Sequence, residues 1–122
     1  MMEKTGAVIA LGALAQESRL DVFRLLVQAG VEGLQPGQIS ERLGLPAATL
    51  SFHLTQLRHA GLVTFRREGR TLTYVAEYPA MNALLAYLTE NCCQGDASAC
   101  GAGFACKPAD ASEDIHNRSK AD

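Results

Sequence analysis

Leucines recur at Leu50, Leu54 and Leu57, a spacing that predicts a helix from about Pro46 to Ala60 with one apolar stripe turned toward a core. The opposite face would carry Ala48, Thr49, Ser51, Phe52, Thr55 and Gln56, which are small, hydroxyl and amide side chains with one aromatic. Gly61 stops that helix, and Leu62 to Arg67 and Thr71 to Ala76 then alternate as two strands around Glu68-Gly69-Arg70. Upstream, Gly37 to Leu43 predicts a second helix, separated from the first by the short breaker Gly44-Leu45-Pro46. Two helices precede this pair. One spans Ala7 to Gln16 and is apolar around most of its circumference; the other spans Arg19 to Gln28, with Ser18 as its cap and Gly30 as its stop. A last helix opens at Pro79, with Met81, Leu84, Leu85 and Leu88 on one face.

A helix, a tight turn, a second helix and an arginine-tipped hairpin together predict a mainly α fold with a small β-hairpin, the winged helix-turn-helix. The first and last helices are not needed to complete such a core. Their surplus apolar surface predicts a homodimer formed through those two helices. Two-fold symmetry would set two reading helices about one DNA turn apart, so the expected partner is a double-stranded DNA operator with a palindromic sequence.

At 122 residues the chain is expected to hold one domain, with no room for an enzyme carrying a separate substrate domain. Residues 1–93 would form the DNA-binding and dimerisation domain. Residues 94–122 would be a cysteine-containing tail, disordered after about residue 107, where large apolar residues give out. No apolar run reaches the roughly 18 residues of a membrane span, and Ala7 to Ala15 lacks the flank of an export signal, so a soluble cytoplasmic protein is expected.

The net charge of −2 argues weakly against nucleic acid until it is resolved along the chain. Residues 1–50 carry five acids and four bases, residues 51–75 one acid and four bases, and residues 76–122 seven acids and three bases. The positive charge therefore lies on the predicted reading helix and hairpin. A duplex carries one negative charge per roughly 1.7 Å of axis, so the absence of carboxylates from the reading face matters. Thr49, Ser51, Phe52 and Gln56 are the candidates for base edges, Phe52 against a thymine methyl and Gln56 against adenine. His53, on the flank, is expected to pack or to touch phosphate. Arg66, Arg67 and Arg70 would meet phosphates or the minor groove.

All four cysteines, Cys92, Cys93, Cys100 and Cys106, fall within fifteen residues, at the end of the last predicted helix and in the loop that follows it. Structural cysteines would be scattered through the core, so this clustering points to metal, metalloid or redox chemistry. Adjacent Cys92 and Cys93 close only a strained bridge. The spacing matches no common zinc ribbon or finger, although four thiols leave zinc open. Thiolates without histidine or carboxylate partners favour a soft ion, and trivalent arsenic or antimony suits a three-coordinate sulfur site.

With these residues in view, the chain resembles the ArsR/SmtB family of metal-responsive repressors over roughly Leu11 to Gln94. The matching segments are LAQESRLDVFRLL (Leu14 to Leu26), LSFHLTQLRHAGLV (Leu50 to Val63) and REGRTLTYV (Arg67 to Val75). The resemblance implies a homodimeric winged helix that occupies an operator until a toxic ion binds. Two of the family's ion sites are missing: Leu34-Gln35-Pro36-Gly37 holds no cysteine, and Met81 to Glu90 holds no histidine. LTENCCQGD (Leu88 to Asp96) resembles instead an arsenic-responsive subgroup with an adjacent cysteine pair and one downstream cysteine. That resemblance implies Cys92, Cys93 and Cys100 as ligands, with Cys106 as a substitute for the third. Arsenite is the implied inducer, with antimonite or organic arsenicals as variants. A thiol redox repressor and a zinc- or cadmium-sensing repressor remain the alternatives.

Overall fold

The computed structural model describes residues 2–92. Its elements are α1 (Lys4–Leu14), α2 (Glu17–Ala29), a single 3-10 turn Gly30–Glu32, α3 (Pro36–Leu43), α4 (Ala47–His59), β1 (Val63–Glu68), β2 (Thr71–Ala76) and α5 (Tyr78–Leu88). The fold is mainly α with one antiparallel hairpin, a winged helix-turn-helix. Two compact units are present, Met1–Leu84 and a second beginning at Leu85.

The core of the first unit gathers Val22, Phe23 and Leu26 from α2, Ile39 from α3, Leu50, Leu54 and Leu57 from α4, and Leu62 and Val63 at the root of the hairpin. The apolar stripe of α4 is thus buried as its spacing predicts. The sequence of α2 offers Leu20, Val22, Phe23, Leu26 and Val27 as packing positions, but Leu20 is 41% exposed and does not join the core. α1 buries Ala7 and Ala10 while Val8, Ile9 and Leu11 stay exposed.

Three helices have bounds that differ from the sequence reading. α1 begins at Lys4 and ends at Leu14, and at that end Arg19 of the next helix donates through Nε to the carbonyl of Ala13 (2.6 Å). α2 begins at Glu17, with Gln16 as its cap instead of Ser18: the Gln16 side chain accepts from the Arg19 backbone N–H at 2.8 Å. α5 ends at Leu88, and Asn91 then takes a left-handed φ of 57°, so Cys92 lies beyond the helix.

The joint between α3 and α4 forms for local reasons. Pro36 occupies the first helical position of α3, the Gln38 side chain accepts from the Gln35 N–H (2.8 Å), and Gly44 ends the helix in the left-handed conformation. At the far end of α4, Gly61 donates to Arg58 O (2.9 Å) and Leu62 to Leu57 O (3.0 Å). That is the Schellman pattern, and Leu57 and Leu62, which accompany it, are both fully buried. The exit of the chain from α4 into β1 is therefore fixed in direction.

The hairpin pairs Val63 with Ala76 at its root and Glu68 with Thr71 at its tip. Gly69 and Arg70 make the two-residue turn, Gly69 with φ 67°. A further strand-like contact was not legible in the sequence: Leu34 and Tyr74 exchange backbone hydrogen bonds of 3.0 and 2.8 Å. The loop after α2 thereby becomes a third rail along β2. Tyr78 adds an anchor at the start of α5, its hydroxyl donating to Val27 O (2.9 Å).

Candidate nucleic-acid interface

Burying Leu50, Leu54 and Leu57 turns the other side of α4 to solvent. Thr49, Ser51 and Phe52 are exposed there, and Gln56 is half-buried. Phe52 is 56% exposed, a large aromatic held in water at the centre of a face otherwise built of hydroxyls. No carboxylate occurs in α4, and Arg58 and His59 occupy its last turn, where positive charge complements the helix dipole. Arg58 also lies over the Phe65 ring at 4.7 Å, which ties the end of α4 to β1.

His53 is not on this face. It is buried, with 6% exposure, and its Nδ1 lies 3.4 Å from Nη1 of Arg19. An acceptor role for Nδ1 there goes with the neutral tautomer protonated at Nε2. Burial, and then the nearby Arg19 charge, hold its pKa below the ordinary imidazole value. Of the two roles expected for it, packing is the one its position provides, because a histidine one residue from Phe52 is rotated 100° around the helix toward the core. Its ring meets that of Phe52 at 5.8 Å between centroids.

On the hairpin, Arg66, Arg67 and Arg70 are all exposed, yet they are not equivalent. Arg66 is engaged on three sides: Nε donates to Glu68 Oε2 (2.8 Å), Nη1 to Val31 O (3.1 Å) and Nη2 to Glu32 O (2.9 Å). Arg67 and Arg70 carry no ion pair among the described residues. The sequence signalled three tip arginines; it gave no sign that one of them would reach back to a loop 34 residues earlier.

Among the expected sulfur ligands, Cys92 is half-buried and its N–H donates to Thr89 O (2.9 Å). Cys93, Cys100 and Cys106, with the tail after residue 107, lie outside the described residues. Among the described residues no group of three His, Cys, Asp or Glu side chains is placed to hold a metal ion. No helix among them is long and apolar enough to cross a membrane.

A helix-turn-helix domain family matches residues 14–65. The chain is similar to the transcriptional activator HlyU of Vibrio cholerae, with 36% identity over 97 residues, 78% of this chain and 87% of that protein. A solved structure of reduced HlyU from Vibrio cholerae superposes with a TM-score of 0.55 at 39% identity, covering 69% of this chain and 88% of that one. Similarity also extends to the putative arsenical resistance operon repressor ArsR of Halobacterium salinarum, 41% identical over 64 residues, 52% of this chain and 49% of that protein. A homodimeric winged helix-turn-helix DNA-binding domain from Mycobacterium bovis, described as a possible ArsR-family transcriptional regulator, gives a TM-score of 0.58 at 26% identity over 69% of this chain and 76% of its own.

Proposed function

The chain belongs to the ArsR/SmtB family of winged helix-turn-helix transcriptional regulators, and on that premise we propose that it is a homodimeric repressor released from its operator by trivalent arsenic. The observation that carries the DNA half of this reading is the carboxylate-free exposed face of α4, with Thr49, Ser51 and Phe52 opposite the buried leucines. Phe52 takes a thymine methyl, the hydroxyls and Gln56 take base edges, and Arg67 and Arg70 take phosphates. Exposed Val8, Ile9 and Leu11 on α1 supply apolar area for pairing with a second copy. The relatives include an activator and a repressor. Repression is proposed because release by a toxic ion requires the ion-free protein to occupy DNA.

The ligand half rests on the cysteine cluster in the sequence, Cys92, Cys93 and Cys100 with Cys106 as the substitute. Three thiolates suit trivalent arsenic or antimony, and two suffice for an organic arsenical. The thiols follow α5 and are remote in sequence from α4, so release acts through the dimer arrangement. A coupling of about 1–3 kcal/mol, roughly 5- to 150-fold in affinity, makes a working switch.

A second reading has its own support. The HlyU structure is described as the reduced form, which favours thiol oxidation as the signal, with peroxide taking a thiolate to sulfenic acid and then to a disulfide. One experiment separates the two: fluorescence anisotropy on the protein's own upstream DNA, titrated with arsenite under reducing conditions and with peroxide separately. Release at about one arsenic per protomer, lost in Cys93→Ser, is the expected result. Release by arsenite from the Cys93→Ser protein would overturn the ligand set. Release by peroxide alone would establish the redox reading.

A further inference from the structure

We propose that Arg66 is a positioning residue, a clamp that sets the hairpin at a fixed angle so that Arg67 and Arg70 face DNA, and that it is not itself a phosphate contact. This rests on the DNA-binding reading above.

The argument starts from donor inventory. A guanidinium presents five N–H groups in a rigid fork, and here each of its three nitrogens donates one of them, to Glu68, Val31 and Glu32. The two carbonyls belong to the end of the 3-10 turn Gly30–Glu32, where carbonyls lack intrahelical partners and partial negative charge collects. Arg66 thus satisfies orphan acceptors with a full charge. A phosphate approaching the same group would find only the two remaining Nη N–H groups and would meet the Glu68 carboxylate, which is itself exposed.

Geometry supplies the second half. The loop that Arg66 grips is the one that pairs with β2 through Leu34 and Tyr74. The hairpin is therefore held at the Phe65–Tyr74 pair by backbone bonds and one pair nearer the tip by the Arg66 side chain. Arg66 and Arg67 are neighbours on β1 and point to opposite faces, so the clamp on one face leaves the other face presented. A two-stranded ribbon is marginal by itself, and without the clamp the outer part of this one would swing. Lysine could not replace arginine here, because one ammonium cannot span two carbonyls and a carboxylate in that fork.

The test is a salt series of binding by the full-length protein to its own upstream DNA and to a random duplex, with thermal melting of each variant as a fold control. Arg66→Lys is expected to weaken binding as much as Arg66→Ala, although it keeps the charge. The log–log salt slope should flatten by about 1.8 per protomer, two phosphates at about 0.9 each. Adding Arg70→Ala to Arg66→Ala should then cost nothing further. Glu68→Gln, which removes the carboxylate that orients the Arg66 guanidinium without removing a cation, should also weaken binding. Wild-type binding by Arg66→Lys, additive losses for Arg66→Ala and Arg70→Ala, or tighter binding by Glu68→Gln would each overturn the clamp and leave the DNA reading standing. A wild-type protein that bound neither duplex would overturn the DNA reading and the clamp with it.

Discussion

Gly33→Ala probes the joint between the loop after α2 and the hairpin. Gly33 has φ 71° and ψ −169°, a region essentially closed to residues with a Cβ, where an L residue costs about 1–3 kcal/mol. A Cβ at this position would also collide with the carbonyl oxygen of Tyr74 and with Cγ1 of Val75. The first of these is strand backbone and cannot swing aside. Relief requires lifting the loop from β2, which breaks the reciprocal bonds between Leu34 and Tyr74, each contributing about 0.5–1.5 kcal/mol net. The expected destabilisation is about 2–6 kcal/mol, or at least about 8 °C in Tm for a domain of this size. Gly30→Ala is the matched control: Gly30 has nearly the same backbone angles, φ 79° and ψ −167°, but a Cβ there meets nothing within 4 Å. It should show the conformational cost alone, about 1–3 kcal/mol. Urea unfolding followed by circular dichroism, at one fixed protein concentration because self-association adds to apparent stability, measures both. Equal losses for the two variants would refute the close approach of Gly33 to β2.

Leu57→Ala, which empties a fully buried site at the end of α4, should cost about 2–5 kcal/mol by the same unfolding assay. Phe52→Ala should weaken operator binding while leaving random-duplex binding and the salt slope unchanged; equal loss on both duplexes would remove Phe52 from base reading. His53 has a lowered pKa in the folded protein, so the unfolded chain binds a proton more readily. Stability is accordingly full above the ordinary imidazole value of about 6.5 and falls as the pH drops from there toward the lower folded value. Melting between pH 8 and 5 should show this loss, and His53→Gln should flatten it; an unchanged profile in the variant would assign the loss to other groups.

What the amino-acid order determines by itself is whatever depends on near neighbours. The Leu50, Leu54, Leu57 stripe, the Gly44-Leu45-Pro46 breaker, the stop at Gly61 and the Gly69-Arg70 turn are local in cause. The helix-turn-helix and its hairpin were therefore legible as a unit, and so was the exposed face of Thr49, Ser51 and Phe52. Caps were less legible: Gln16 displaced Ser18 because Arg19 makes two separate contacts at the α1–α2 junction, and only the packed junction rewards that choice. Long-range bonds were not legible at all. His53 lies inward because Arg19, 34 positions earlier, comes to meet it. Arg66 looks like its two tip neighbours until the loop after α2 is folded against β2 and offers it two carbonyls. Periodicity assigns a side chain to a face. Which partner waits on that face is set by the tertiary fold, because an unpaired carbonyl or a buried ring acts only across the distance that folding closes.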